Sequence, residues 1–232
     1  MTNQNFSQRN KSFRKLFLKS NITFSNNPIN RLIGVQPEND KKILLKKLKD
    51  KISTISECKL KNNSNNIVFN DGNINSPIML IGEAPGQKED ELSKPFVGEA
   101  GSLLNKMLSA INLDRKDLYI TNVVNYRPPL NRKPDSNEIR RYSEFLLEHV
   151  DIIKPKIIIL LGSTAMEAFF GSNLKISKER GIWKEMLIKD KTFLTMVTFH
   201  PAYLLRQNDQ KKYSWIDLKN IRNKIDELKI DI

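Results

Sequence analysis

The sequence predicts an α/β fold of three layers, α/β/α, around a central four-stranded parallel sheet. Three observations lead there. Four short apolar runs recur along the chain, at residues 78–81, 118–124, 157–161 and 193–199. Helical patterns lie between them. The first and third runs are unbroken and rich in Ile and Leu, as strands buried on both faces must be.

The elements follow in order. Residues 43–57 set Ile43, Leu44, Leu48, Ile52 and Ile55 at helical intervals. An Asn-rich loop comes after Leu60, and residues 78–81 form the first strand. Residues 99–111 put Leu103, Leu104, Met107, Leu108 and Ile111 on one helical face. The second and fourth strands are interrupted by Asn or Thr. Between them, residues 136–153 carry Ile139, Phe145, Leu146, Val150 and Ile153 at helical spacing. Asp135 after Pro134, with Glu138 three residues on, is a helix start with a capping box. Gly162-Ser163 opens a short helix, and residues 214–228 make a last amphipathic one. No internal repeat is present in the sequence.

Composition narrows the function. At 232 residues and 39% apolar content, the chain can build one domain with a core, with or without a tail. Its formal net charge of +13 attracts polyanions. One cysteine and two histidines exclude a disulfide framework and a zinc ribbon built by this chain alone. No apolar run reaches the ~18 residues of a membrane span, so no membrane association is expected. Residues 1–60 hold 13 basic and four acidic side chains, and no acid precedes Glu38. Residues 1–40 therefore read as a basic, solvated, disordered arm, and residues 41–232 as the folded domain. A DNA-tracking arm and an organelle transit peptide are the sharper readings of the same segment. The expected location is cytoplasmic, or mitochondrial if the arm is a transit peptide. No 7–15-residue apolar stretch marks a secretory signal.

The ligand of a parallel α/β sheet sits beyond the carboxyl ends of its strands. The first strand runs into Gly82-Glu83-Ala84-Pro85-Gly86, the second into Thr121-Asn122-Val123, the third into Leu161-Gly162-Ser163 and the fourth into His200-Pro201. Singly, these are a tight turn, an amide satisfying backbone groups and a structural histidine. Together they place a carboxylate, an amide and an imidazole at one sheet edge.

These stretches resemble family 4 uracil-DNA glycosylases. The likeness covers Gly82 to Gly86, Glu89-Asp90, Pro95-Phe96-Val97-Gly98 and Ala100-Gly101-Ser102-Leu103-Leu104. It continues through Tyr119 to Val124 with Arg127-Pro128-Pro129, and through His200-Pro201-Ala202-Tyr203-Leu204-Leu205-Arg206. It runs from about Leu44 to Leu218 in family order and leaves residues 1–40 uncovered. The resemblance implies a monomer that flips uracil out of DNA and hydrolyses its N-glycosidic bond, initiating base excision repair without a metal at the reaction centre. Phe96 then corresponds to the stacking platform and Asn122 to the side chain that reads uracil, with Gly82, Ala84, Pro85 and Gly86 lining the base site. An amide offers a donor and an acceptor, matching O4 and N3–H of uracil, whereas cytosine presents the opposite pattern. Glu83 is expected to activate water or stabilise the cationic sugar, and His200, or the amides of the Glu83–Gly86 turn, to stabilise the uracil anion. Leu204 and Leu205 suit a wedge filling the vacated stack. Tyr203 belongs to the same DNA-binding motif. Arg127 and Arg206 suit phosphate contacts.

One departure stands out. Family 4 enzymes usually hold a [4Fe–4S] cluster on four cysteines, and the matching positions here are Ile55, Cys58, Tyr126 and Tyr142. One thiolate cannot hold a cluster, so no cofactor is expected and apolar burial replaces the staple. Three other readings compete: a glycosylase for another deaminated base such as hypoxanthine, an inactive DNA-binding module, and a nucleotide-binding α/β protein. The last is disfavoured because the first turn lacks both G-x-G-x-x-G and G-x-x-x-x-G-K-[ST].

Overall fold

The computed structural model describes residues 37–232. Helices are α1 (Pro37–Ser53), α2 (Lys59–Asn62), α3 (Gln87–Leu92), α4 (Glu99–Ser109), α5 (Ser136–Ile153), α6 (Ser163–Phe170), α7 (Ile176–Glu179), α8 (Pro201–Arg206) and α9 (Lys211–Glu227). Strands are β1 (Asp71–Gly72), β2 (Ile78–Gly82), β3 (Tyr119–Asn122), β4 (Ile157–Leu161), β5 (Trp183–Ile188) and β6 (Lys191–Thr198). Because α1 begins at Pro37, the folded region starts inside the segment assigned to the arm. The expectation for residues 1–36 lies outside the described residues.

The sheet order is β1-β3-β2-β4-β6-β5. The four central strands run parallel, as expected. Two antiparallel edge strands, β1 and β5, extend the sheet to six. Strand β5 alternates exposed and buried side chains, which suits an edge. In the centre, successive residues feed opposite faces. Met79 and Ile81 of β2 join Leu48 and Ile52 of α1 and Tyr142 and Leu146 of α5 on one side. Ile78 and Leu80 join Leu104 of α4 and Leu218 and Ile221 of α9 on the other. Three layers result.

Helix α5 starts as its sequence dictates. Asp135 accepts from the Asn137 and Glu138 amides at 2.9 Å, and Glu138 accepts from the Asp135 amide at 2.9 Å. The same helix buries His149, stacked on Phe69 at 4.7 Å and hydrogen-bonded through Nε2 to the Tyr119 hydroxyl. Burial pushes this imidazole down to about 3. Its folded pKa lies below the ordinary ~6.5, so between about pH 6.5 and 3 only the unfolded chain takes up this proton. The expected result is a loss of stability as pH falls below 6.5, approaching ~1.4 kcal/mol per pH unit from this group. Histidine NMR checks it: the His149 resonance stays that of a neutral ring at pH 5, and a midpoint near 6.5 contradicts it.

Candidate active site

The parallel strands deliver their ends to one edge. Gly82 pairs in register with Asn122, and Leu161 with Thr198. Strand β3 flanks β2 on one side and β4 on the other, so the chain reverses its direction of winding at β2. A crevice at such a point is where open α/β sheets bind ligands. A cleft of about 690 Å³ opens there, with Glu83, Phe96, Asn122, His200, Tyr203 and Arg206 in its wall. Ala84, Pro85 and Gly86 line it as well.

Asn122 is buried, and its Oδ1 has no hydrogen-bond partner. A buried acceptor left unpaired costs free energy until a donor arrives. Phe96 packs beside it, across the bare Cα of Gly82. A Cβ on Gly82 would stand 2.4 Å from both Asn122 Oδ1 and Phe96 Cζ. Glycine at 82 is thus what lets the amide and the ring converge. The Phe96 and His200 rings lie 5.5 Å apart, tilted by 31°.

Glu83 leaves β2 half-buried, and its carboxylate accepts from the Thr164 hydroxyl in the first turn of α6. That hydrogen bond crosses from the end of β2 to the end of β4 and holds the carboxylate in the wall of the cleft. Three residues into α3, Glu89 accepts from the amides of Gly86 at 3.2 Å and of Val97 and Gly98 at 2.8 Å. One carboxylate therefore ties the Gly82–Gly86 turn to the loop carrying Phe96.

His200 caps α8, with Pro201 in the first helical position. Its Nδ1 accepts from the Ala202 amide at 3.1 Å. Burial, aided by the Arg206 charge, pushes the imidazole down to about 4. A neutral ring whose Nδ1 accepts must carry its proton on Nε2. The cap thus fixes a neutral donor tautomer. Gly162 makes room for it. Its φ is +97°, and a Cβ would come within 2.8 Å of His200 Cβ.

The uracil DNA glycosylase superfamily model matches residues 69–220. The chain belongs to this superfamily. It is 38% identical over 169 residues to a type-4 uracil-DNA glycosylase of Thermotoga maritima, covering 72% of this chain and 86% of that protein. It is 40% identical over 186 residues to one of Sulfurisphaera tokodaii, covering 77% and 83%. A Saccharolobus solfataricus type-4 protein is 38% identical over 178 residues, covering 75% and 82%. As a member of this superfamily the chain is a glycosylase, and DNA is its substrate.

One expectation for the DNA face changes. Leu204 is buried in the core at 1% exposure and cannot enter a base stack. Leu205, next to it, is 39% exposed. Residues 204 and 205 sit in one turn of α8, where neighbours point ~100° apart. Arg127 is half-buried, and its Nε donates to Asn131 Oδ1 at 2.7 Å; it is not in the cleft wall. Arg132 and Lys133 are in that wall. Their sequence signal is a basic pair just before the Pro134-Asp135 helix start.

Three of the four positions matching cluster ligands, Cys58, Tyr126 and Tyr142, meet in space. Cys58, Tyr126 and Tyr142 are buried in one core and Ile55 packs against it half-buried, with Cys58 Sγ 3.4 Å from the Tyr142 hydroxyl. Burial pushes both phenols up, and the Cys58 thiol adds to this. One thiol, two protonated phenols and an alkyl chain do not fit an iron–sulfur cluster.

Among the described residues no helix is long and apolar enough to cross a membrane.

Proposed function

We propose that this chain removes uracil from DNA by hydrolysing the N-glycosidic bond, with Glu83, Phe96, Asn122 and His200 as its working groups. The observation that carries the reading is the unpartnered Asn122 Oδ1, buried beside the Phe96 ring. A flipped uracil stacked on that ring gives its N3–H to this oxygen and accepts through O4 from the same amide.

The chemistry follows from the surrounding charges. As the bond stretches, the sugar becomes cationic and the base anionic. The Glu83 carboxylate, held by Thr164, lies on the β2–β4 side, where it stabilises the sugar and orients the attacking water. The neutral His200, its ring 5.5 Å from that of Phe96, donates from Nε2 to the departing base. Arg206, Arg132 and Lys133 rim the cleft and suit the phosphate backbone, which positions the strand without reading sequence.

The reaction centre needs no metal in this reading, and the fold needs no cluster. The Cys58–Tyr126–Tyr142 core takes over the cluster's stapling role by apolar burial.

A panel of duplexes holding uracil, hypoxanthine or cytosine at one position tests the function. The expected product is an abasic site at uracil, revealed by alkaline cleavage. Release of hypoxanthine in preference to uracil would support the alternative lesion range. Binding without release of any base would make the protein a DNA-binding module.

A further inference from the structure

Phe96 has φ +53°, in the left-handed region that L side chains disfavour. Something must hold it there. The helix after it leaves little slack, since a Cβ on Gly101 would come within 1.9 Å of the Phe96 carbonyl oxygen. Glu89 grips the loop on its amide side, through Val97 and Gly98. The carbonyl side is gripped from elsewhere in the chain.

Arg115 opens a 3-10 turn just before β3. Its Nη1 donates to the Phe96 carbonyl at 2.7 Å and its Nη2 to the Pro95 carbonyl at 2.5 Å. The Nε donates to Asp71 Oδ2 at 3.0 Å, and Nη2 lies 2.9 Å from the same oxygen. The planar guanidinium thus spans two successive carbonyls while a β1 carboxylate anchors it from behind. The Arg115 side chain is only 17% exposed and does not reach the cleft.

We infer that Arg115 is a positioning residue for base recognition: it holds Pro95 and Phe96 in the conformation that turns the Phe96 ring toward Asn122. The inference rests on the reading of Phe96 as the stacking platform. A single charged ammonium cannot span both carbonyls as the fork does, so lysine is a poor replacement. Without the fork, Phe96 relaxes out of the left-handed region and its ring leaves the bare Cα of Gly82.

The test is a double-mutant cycle in single-turnover uracil release, with melting temperature followed alongside. Arg115→Ala is expected to slow release ~10- to 100-fold, the scale of a small misplacement at a reacting centre. In a Phe96→Ala background the same change is expected to cost less than ~2-fold, because the ring it positions is gone. Arg115→Lys recovers only a small part of the loss. An equal loss in both backgrounds, or an unchanged rate in Arg115→Ala, overturns the inference. If Arg115→Ala does not fold, Asp71→Asn, which loosens the anchor, takes its place in the cycle with the same expectations. A crystal structure of the variant judges the inference without any activity. Phe96 displaced from φ near +53° supports it, and Phe96 unmoved overturns it. Should the wild-type protein release no uracil, the proposed function fails, and this crystallographic arm still decides the role of Arg115.

Discussion

Asn122→Asp is expected to lose uracil excision by on the order of 10³-fold or more. A site built to pair with a polar group rejects a mismatched partner by 10⁴–10⁵ in favourable cases, because buried groups are left facing like with like. The Asn122 side chain is buried with an unpaired Oδ1. An ionised carboxylate there still accepts from N3–H but cannot donate to O4, and it faces that oxygen with a negative charge. Cytosine offers an amino donor where uracil has O4, so weak cytosine excision is expected to appear. Parallel single-turnover assays on uracil and cytosine duplexes measure both. Uracil release within a few-fold of wild type would remove Asn122 from the base site. Melting temperature separates a loss of recognition from a loss of fold.

Glu83→Ala is expected to slow the chemical step ~10²–10³-fold, the usual loss for one preorganised electrostatic group, or about 2.7–4 kcal/mol. DNA affinity should stay within a few-fold, because Glu83 makes no attractive contact with a phosphate. Glu83→Gln separates two roles. The amide still meets the Thr164 hydroxyl and still binds water, but carries no charge. A loss close to that of alanine means that the charge stabilises the sugar cation. A much milder loss means that water positioning is the main role. His200→Ala is a companion. Its ring stays neutral, with a pKa near 4, so the wild-type rate should show no inflection near pH 6.5. An inflection there that His200→Asn abolishes contradicts the neutral-donor role.

Much of this was legible in the sequence, for physical reasons. Strands β2 and β4 are buried on both faces, so unbroken Ile and Leu runs announce them. Glu83, Asn122 and His200 follow strand ends, and parallel strands must bring those ends together. What escaped was short or long-range. Strand β5 lies at an edge and carries Lys184 and Glu185 among its apolar residues, so no clear run marks it. Helix α3 has six mostly polar residues and no periodicity to read. Leu204 and Leu205 look alike in sequence, and only the direction of α8 buries one and exposes the other. Thr164 reaches Glu83 from 81 residues away, and Arg115 reaches Phe96 from 19. Neither pairing has a local signal.

This arrangement is expected to excise uracil without an iron–sulfur cluster. One measurement tests this directly: free uracil released from a uracil-containing oligonucleotide, with the iron content of the same anaerobically purified sample determined beside it. The account predicts one uracil released per substrate strand by protein free of iron and without a visible charge-transfer band. No release above an enzyme-free control, or release that rises and falls with bound iron across preparations, would contradict it.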